Sequence, residues 1–80
     1  MARPQQEDRY LVEFGRNLSK LRLSKKMTQD DLATKTGLSA DTIGAIEQGR
    51  RWARLTTLHK LADGLGTPTN ELFIGLNSKN

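Results

Sequence analysis

Beyond Asp8 the apolar residues fall at Leu11, Phe14, Leu18 and Leu21. Steps of three, four and three trace one face of a helix. Glu7 or Asp8 stands near its start and Lys25 and Lys26 near its end, matching the helix dipole. Thr28, with Asp31 three residues on, approximates a capping box and opens a second helix carrying Leu32 and Ala33 inward. Gly37 ends it, Ser39 caps a third, and that helix runs through Ile43 and Ile46 to Gly49. Thr56 or Thr57 is the expected cap of a fourth helix, with Leu58, Leu61, Ala62 and Leu65 inward and Gly64 or Gly66 at its close. Thr67-Pro68 restarts the chain into a fifth helix with Leu72, Phe73 and Leu76 apolar. No strand alternation, hairpin signal or repeat interrupts this series. The expected fold is all-α with five helices: a flexible arm over 1–8, one domain over 9–76 and a polar tail over 77–80.

The second and third of these elements form a specific pair. A helix-turn-helix joins two steeply crossed helices by a turn of three or four residues. The crossing wants a small side chain, which Ala33 supplies, and the turn wants a residue able to take positive φ, which Gly37 supplies. The outer helix wants branched anchors, supplied by Ile43 and Ile46, with Leu32 and Leu38 filling the remaining inner positions.

The stretch from Leu18 to Phe73 resembles the lambda-repressor-like family of phage repressors, Cro proteins and small bacterial regulators. The matching pieces are LSKLRLSKKMTQDDLATKTGLS, TIGAIEQGR and LTTLHKLADGLGTPTNELF, about seven-tenths of the chain. The resemblance implies that Ala40 to Gln48 lies in a major groove of double-stranded DNA as the recognition helix. It further implies DNA contacts from Thr28, Gln29, Ser39, Ala40, Asp41, Thr42, Gly44, Ala45, Gln48 and Arg50, with Gln29 gripping a phosphate. Arg22 and Glu47 match an internal ion pair of the family. Homodimers reading an approximate palindrome follow from the same likeness, with Leu72, Phe73 and Leu76 as the expected dimer surface. Where the family often carries proline near Ala53, this chain runs Arg51-Trp52-Ala53-Arg54, adding cations.

Charge and composition narrow the picture. Thirteen Lys and Arg against nine Asp and Glu give +4 in 80 residues, a balance that favours phosphate-bearing partners. Arg50, Arg51 and Arg54 are the expected phosphate contacts. The recognition helix lacks Arg, Lys, Asn and Gln at its early exposed positions, the side chains suited to bidentate base contacts. Ala40 and Ala45 suit thymine methyls. Asp41 suits either cytosine N4 or the helix dipole. Gly44 reads as an exposed glycine that something approaches closely. Trp52 reads as a cover for the core edge ahead of a stacking role, and Arg3 as part of a disordered arm ahead of a minor-groove contact.

No cysteine is present and His59 is the lone histidine, so neither a disulfide, a thiolate nucleophile nor a histidine pair is available. No cofactor, metal or enzymatic activity is expected. The chain contains no run of roughly 18 apolar residues, and its first residues lack the apolar core of a signal peptide; a cytoplasmic protein that stays off the membrane is the expectation. The rival to a transcriptional regulator is an antitoxin-like or coactivator module that uses the same fold to hold a protein partner.

Overall fold

The chain runs α1 (Gln6–Ser24), α2 (Gln29–Thr36), α3 (Ala40–Glu47), α4 (Leu55–Leu65) and a closing 3-10 turn, Thr69–Phe73, in a computed structural model that describes residues 6–74. Among the described residues there is no strand. Phe14 and Leu18 of α1, Leu32 of α2, Ile43 and Ile46 of α3, Leu61, Ala62 and Leu65 of α4 and Leu72 of the 3-10 turn form one buried cluster. The apolar stripes expected from the sequence therefore converge on a single core. Leu21, Met27, Ala33, Leu38, Ala53 and Leu58 pack around its edge.

Among the described residues four α-helices stand where five were expected. The fifth segment is a five-residue 3-10 turn with Pro68 at its N-cap, and its end is occupied from outside. Asn17 Nδ2 donates to the Glu71 carbonyl at 3.2 Å and to the Leu72 carbonyl at 2.6 Å. Those are carbonyls that a continuing α-helix would pair with its own later N–H groups. Leu76, the tail and Arg3 lie outside the described residues.

Three boundaries also shift. α1 begins at Gln6, inside the expected 1–8 arm, because Gln and Glu are good helix formers and the first turn extends back past Asp8. The N-cap of α4 is Arg54, without a side-chain hydrogen bond, so Thr56 and Thr57 are helical residues rather than caps. Gly66 closes α4 with φ of 70°, whereas Gly64 faces α2, where a Cβ would lie 2.6 Å from Thr36 Cγ2.

Among the described glycines the closest approach is at Gly15. A Cβ there would lie 2.3 Å from the Ile46 carbonyl oxygen and 2.5 Å from that of Glu47. The backbone of α1 thus rests directly on the last turn of α3 and sets its depth. No other residue fits without moving one helix.

Candidate nucleic-acid interface

α2 starts at a complete capping box. Thr28 Oγ1 accepts from the Asp31 N–H at 3.0 Å, and Asp31 Oδ2 accepts from the Thr28 N–H at 2.8 Å. The Thr28 N–H first, then the Thr28 side chain and Lys35, hold the Asp31 carboxyl below its ordinary pKa. The N–H groups of Gln29 and Asp30 remain at the open end of α2, as the first donors of any helix do.

Gly37 closes α2 at φ of 80°, its N–H donating to the Ala33 carbonyl, which is the left-handed turn that glycine adopts at little cost. Two residues later Ser39 caps α3, its Oγ accepting from the Thr42 N–H at 3.0 Å. Ile43 and Ile46 then anchor α3 from beneath. Asp41 and Gln48 are exposed, and Ala40, Thr42 and Ala45 are half-buried. α3 therefore offers a polar and small-residue outer face beside the start of α2, the arrangement expected of the helix pair.

Gly44 departs from expectation: it is buried, not exposed. The cover is the Gln29 side chain, whose Oε1 lies 3.5 Å and Nε2 3.7 Å from where a Gly44 Cβ would be.

Below this cover lies the internal ion pair. Arg22 Nε donates to Glu47 Oε2 at 2.7 Å and Nη2 to Oε1 at 3.0 Å, while Nη1 donates to the Met27 carbonyl at 2.7 Å. Both side chains are nine-tenths or more buried. Hydrogen bonding to Glu47 raises the Arg22 pKa, against the opposing effect of burial. Glu47 also accepts from Gln29 Nε2 at 3.0 Å. One carboxylate thus ties the end of α1, the start of α2 and the end of α3 together.

The basic loop lies on the other side of α3. Arg50, Arg51 and Arg54 are exposed, and Arg50 Nε donates to Gln48 Oε1 at 2.9 Å. Arg51 and Arg54 line an open cleft of about 580 Å³ between α3 and α4, with Thr42, Thr56, Thr57 and Lys60. Lys60 was not anticipated, and the two threonines were read only as caps. The available signal was spacing: Thr56 and Lys60, four apart, share a face once α4 starts at Leu55.

Trp52 and Phe73 flank Phe14 with ring centroids at 6.3 and 5.3 Å, and each remains about half exposed. Trp52 covers the core edge in part, as expected. Leu72, expected at a dimer surface, is instead wholly buried, seated in the core of the monomer with Phe14 and Leu18 of α1 and Leu61 of α4. His59 is exposed on α4, with Nδ1 3.5 Å from Thr69 Oγ1. Among the described residues no His, Cys, Asp and Glu cluster suits a metal ion, and no helix is long and apolar enough to cross a membrane.

Known proteins share this arrangement. Residues 18–72 match the family model described as helix-turn-helix. The restriction-modification controller protein C.AhdI from Aeromonas hydrophila is 40% identical with a TM-score of 0.77, over 79% of this chain and 96% of that one. The controller C.Esp1396I, solved as a tetramer with its natural 35 base-pair operator, is 33% identical with a TM-score of 0.75, over 84% of this chain and 88% of that one. Among curated relatives, an uncharacterized HTH-type transcriptional regulator of Sinorhizobium fredii, y4dJ, is 35% identical over 76% of this chain and 88% of its own length. A capped α2, a left-handed glycine turn and an α3 anchored by two isoleucines are thus found in a chain whose sequence and backbone both match such regulators, and the chain belongs to the lambda-repressor-like helix-turn-helix family.

Proposed function

We propose that the protein is a sequence-specific double-stranded-DNA-binding transcriptional regulator that acts as a homodimer on an approximately palindromic operator. The observation that carries this reading is α3 itself. It is fixed from below by Ile43, Ile46 and the Arg22–Glu47 pair, and faces outward with Asp41 and Gln48 between the open end of α2 and three exposed arginines. Ala40, Asp41, Thr42, Ala45 and Gln48 meet base edges or nearby backbone; Thr28, Ser39, Arg50, Arg51 and Arg54 meet phosphates, joined by Thr56, Thr57 and Lys60. Within this class, the likeness to C.AhdI and C.Esp1396I favours a restriction-modification controller. The chemistry is binding rather than catalysis, and the place of action is the cytoplasm, where the DNA is.

With Leu72 buried, the second copy covers the edge formed by Phe73 and Ile74, which are 40% and 58% exposed. The same exposed edge, with Trp52, also favours the rival reading of a module that holds a different protein. Selection of operators from random duplex DNA separates them. A regulator enriches one half-site twice with fixed spacing about one helical turn apart; no enrichment, with a co-purifying protein bound instead, overturns the reading.

A further inference from the structure

Trp52 belongs to two surfaces at once. Its ring lies against buried Phe14, centroid to centroid 6.3 Å at an interplanar angle of 42°, within the range in which aromatic pairs attract. The same residue lines the cleft between α3 and α4 with Arg51, Arg54 and Lys60. The loop that carries it is bonded through its backbone at the two ends. There the Arg50 N–H donates to the Ala45 carbonyl at 2.9 Å and the Leu58 N–H to the Arg54 carbonyl at 2.8 Å. Among the described residues, the backbone of residues 51–53 makes no such bond, and neither Arg51 nor Arg54 has an acidic partner. The cations around the cleft repel one another, so charge does not keep the two arginines there. What holds residues 51–54 down is apolar: Trp52 on Phe14, and Ala53 on the core edge. A loop fixed in advance avoids the ordering cost that a free one meets on reaching a phosphate backbone.

We propose that Trp52 is a positioning residue for DNA binding: packed on Phe14, it holds Arg51 and Arg54 at the cleft, ready for phosphates. It acts through the arginines and not by stacking on a base. This rests on the regulator reading above and on the phosphate role given there to Arg51 and Arg54.

The test is a double-mutant cycle on the full chain: Trp52→Ala, the pair Arg51→Ala with Arg54→Ala, and all three together. The probe is mixed-sequence duplex DNA at low salt, where phosphate contacts carry the affinity. Circular dichroism and thermal melts fix a temperature at which every variant is folded, and Trp52→Gln, which keeps bulk without a ring, is run beside alanine with the same expectation. Trp52→Ala is expected to weaken binding roughly five- to hundredfold when the arginines are present, and by less than about twofold once they are gone. Trp52→Phe keeps a ring on Phe14 and is expected to restore most of what alanine loses. Equal losses in the two backgrounds overturn the proposal, because Trp52 then acts without the arginines, on DNA directly or through a second copy. No loss with the arginines present, or a phenylalanine variant as weak as alanine, overturns it as well. If replacing the arginine pair leaves affinity unchanged, the proposal falls while the regulator reading stands; a wild type that binds no duplex overturns both.

Discussion

Arg22 and Glu47 meet side-on, two guanidinium nitrogens to two carboxylate oxygens at 2.7 and 3.0 Å, across 25 residues of sequence. Because both are buried, removing one strands the other without water. Arg22→Ala or Glu47→Ala is expected to cost about 3–5 kcal/mol, much of the stability of a domain this size. The double replacement Arg22→Met with Glu47→Leu is expected to cost less than either single change. Urea unfolding of the four proteins checks this; additive losses would show that the two groups act independently.

Gly15 and Gly44 both lie inside helices and both are buried, but alanine acts oppositely at the two. At Gly15 the new methyl would meet backbone oxygens at 2.3 and 2.5 Å, so Gly15→Ala pushes α1 from α3 and is expected to cost about 1–3 kcal/mol. At Gly44 the nearest atom is a side-chain oxygen at 3.5 Å, an ordinary contact. Gly44→Ala is expected to gain up to about 1 kcal/mol from helix propensity. Thermal melts read both signs, and equal effects would refute the assignment.

The capping box carries a pH signature. The Asp31 carboxyl has a lowered pKa in the folded protein through its bonds to Thr28. Its contribution is complete above the ordinary aspartate value of about 3.9 and falls away as pH drops through that value to the lower folded one. Asp31→Asn is expected to flatten the melting temperature of the protein against pH in this acid range. A variant as acid-sensitive as wild type would place the effect elsewhere.

Asn17 is expected to matter more than an ordinary half-exposed helix residue. Asn17→Ala removes both bonds to the Glu71 and Leu72 carbonyls, at about 1–3 kcal/mol. Amide exchange should quicken first at residues 69–74. If protection there is unchanged, the 3-10 turn is held by Leu72 alone.

The arginines of the loop answer to salt. Replacing Arg51 and Arg54 by alanine is expected to weaken binding to all DNA sequences and reduce the slope of log affinity against log salt by roughly one per lost contact. An unaltered slope removes them from the interface.

Local chemistry was legible in the sequence and long-range backbone approach was not. The Thr28 and Ser39 caps, the Gly37 turn and the Ile43 and Ile46 anchors each depend on residues a few positions apart, and each is in place. The Arg22–Glu47 pair came from family likeness, not from spacing, since nothing local links residues 25 apart. The fifth segment was read as a helix because its contacts are distant in sequence: Asn17 holds the Glu71 and Leu72 carbonyls, and Leu72 is buried in the core rather than at a surface. Gly44 was misread because its cover comes from another helix. Gly15 did carry a signal: a mid-helix glycine costs up to about 1 kcal/mol against alanine, a penalty that points to a close neighbour. For the proposed interface, the arginines were suggested by charge, whereas Lys60 waited on where α4 begins.

The clasp of Asn17 on the Leu72 carbonyl joins the first of the described elements to the last of them. A nascent chain halted before residue 72 has α1 with its Phe14 and Leu18 stripe made, but neither Leu72 nor Phe73 to seat against it. Closure of this domain therefore has to wait for translation to pass residue 73, and a ribosome-arrested fragment ending at residue 66 should remain open to protease where the released protein resists it.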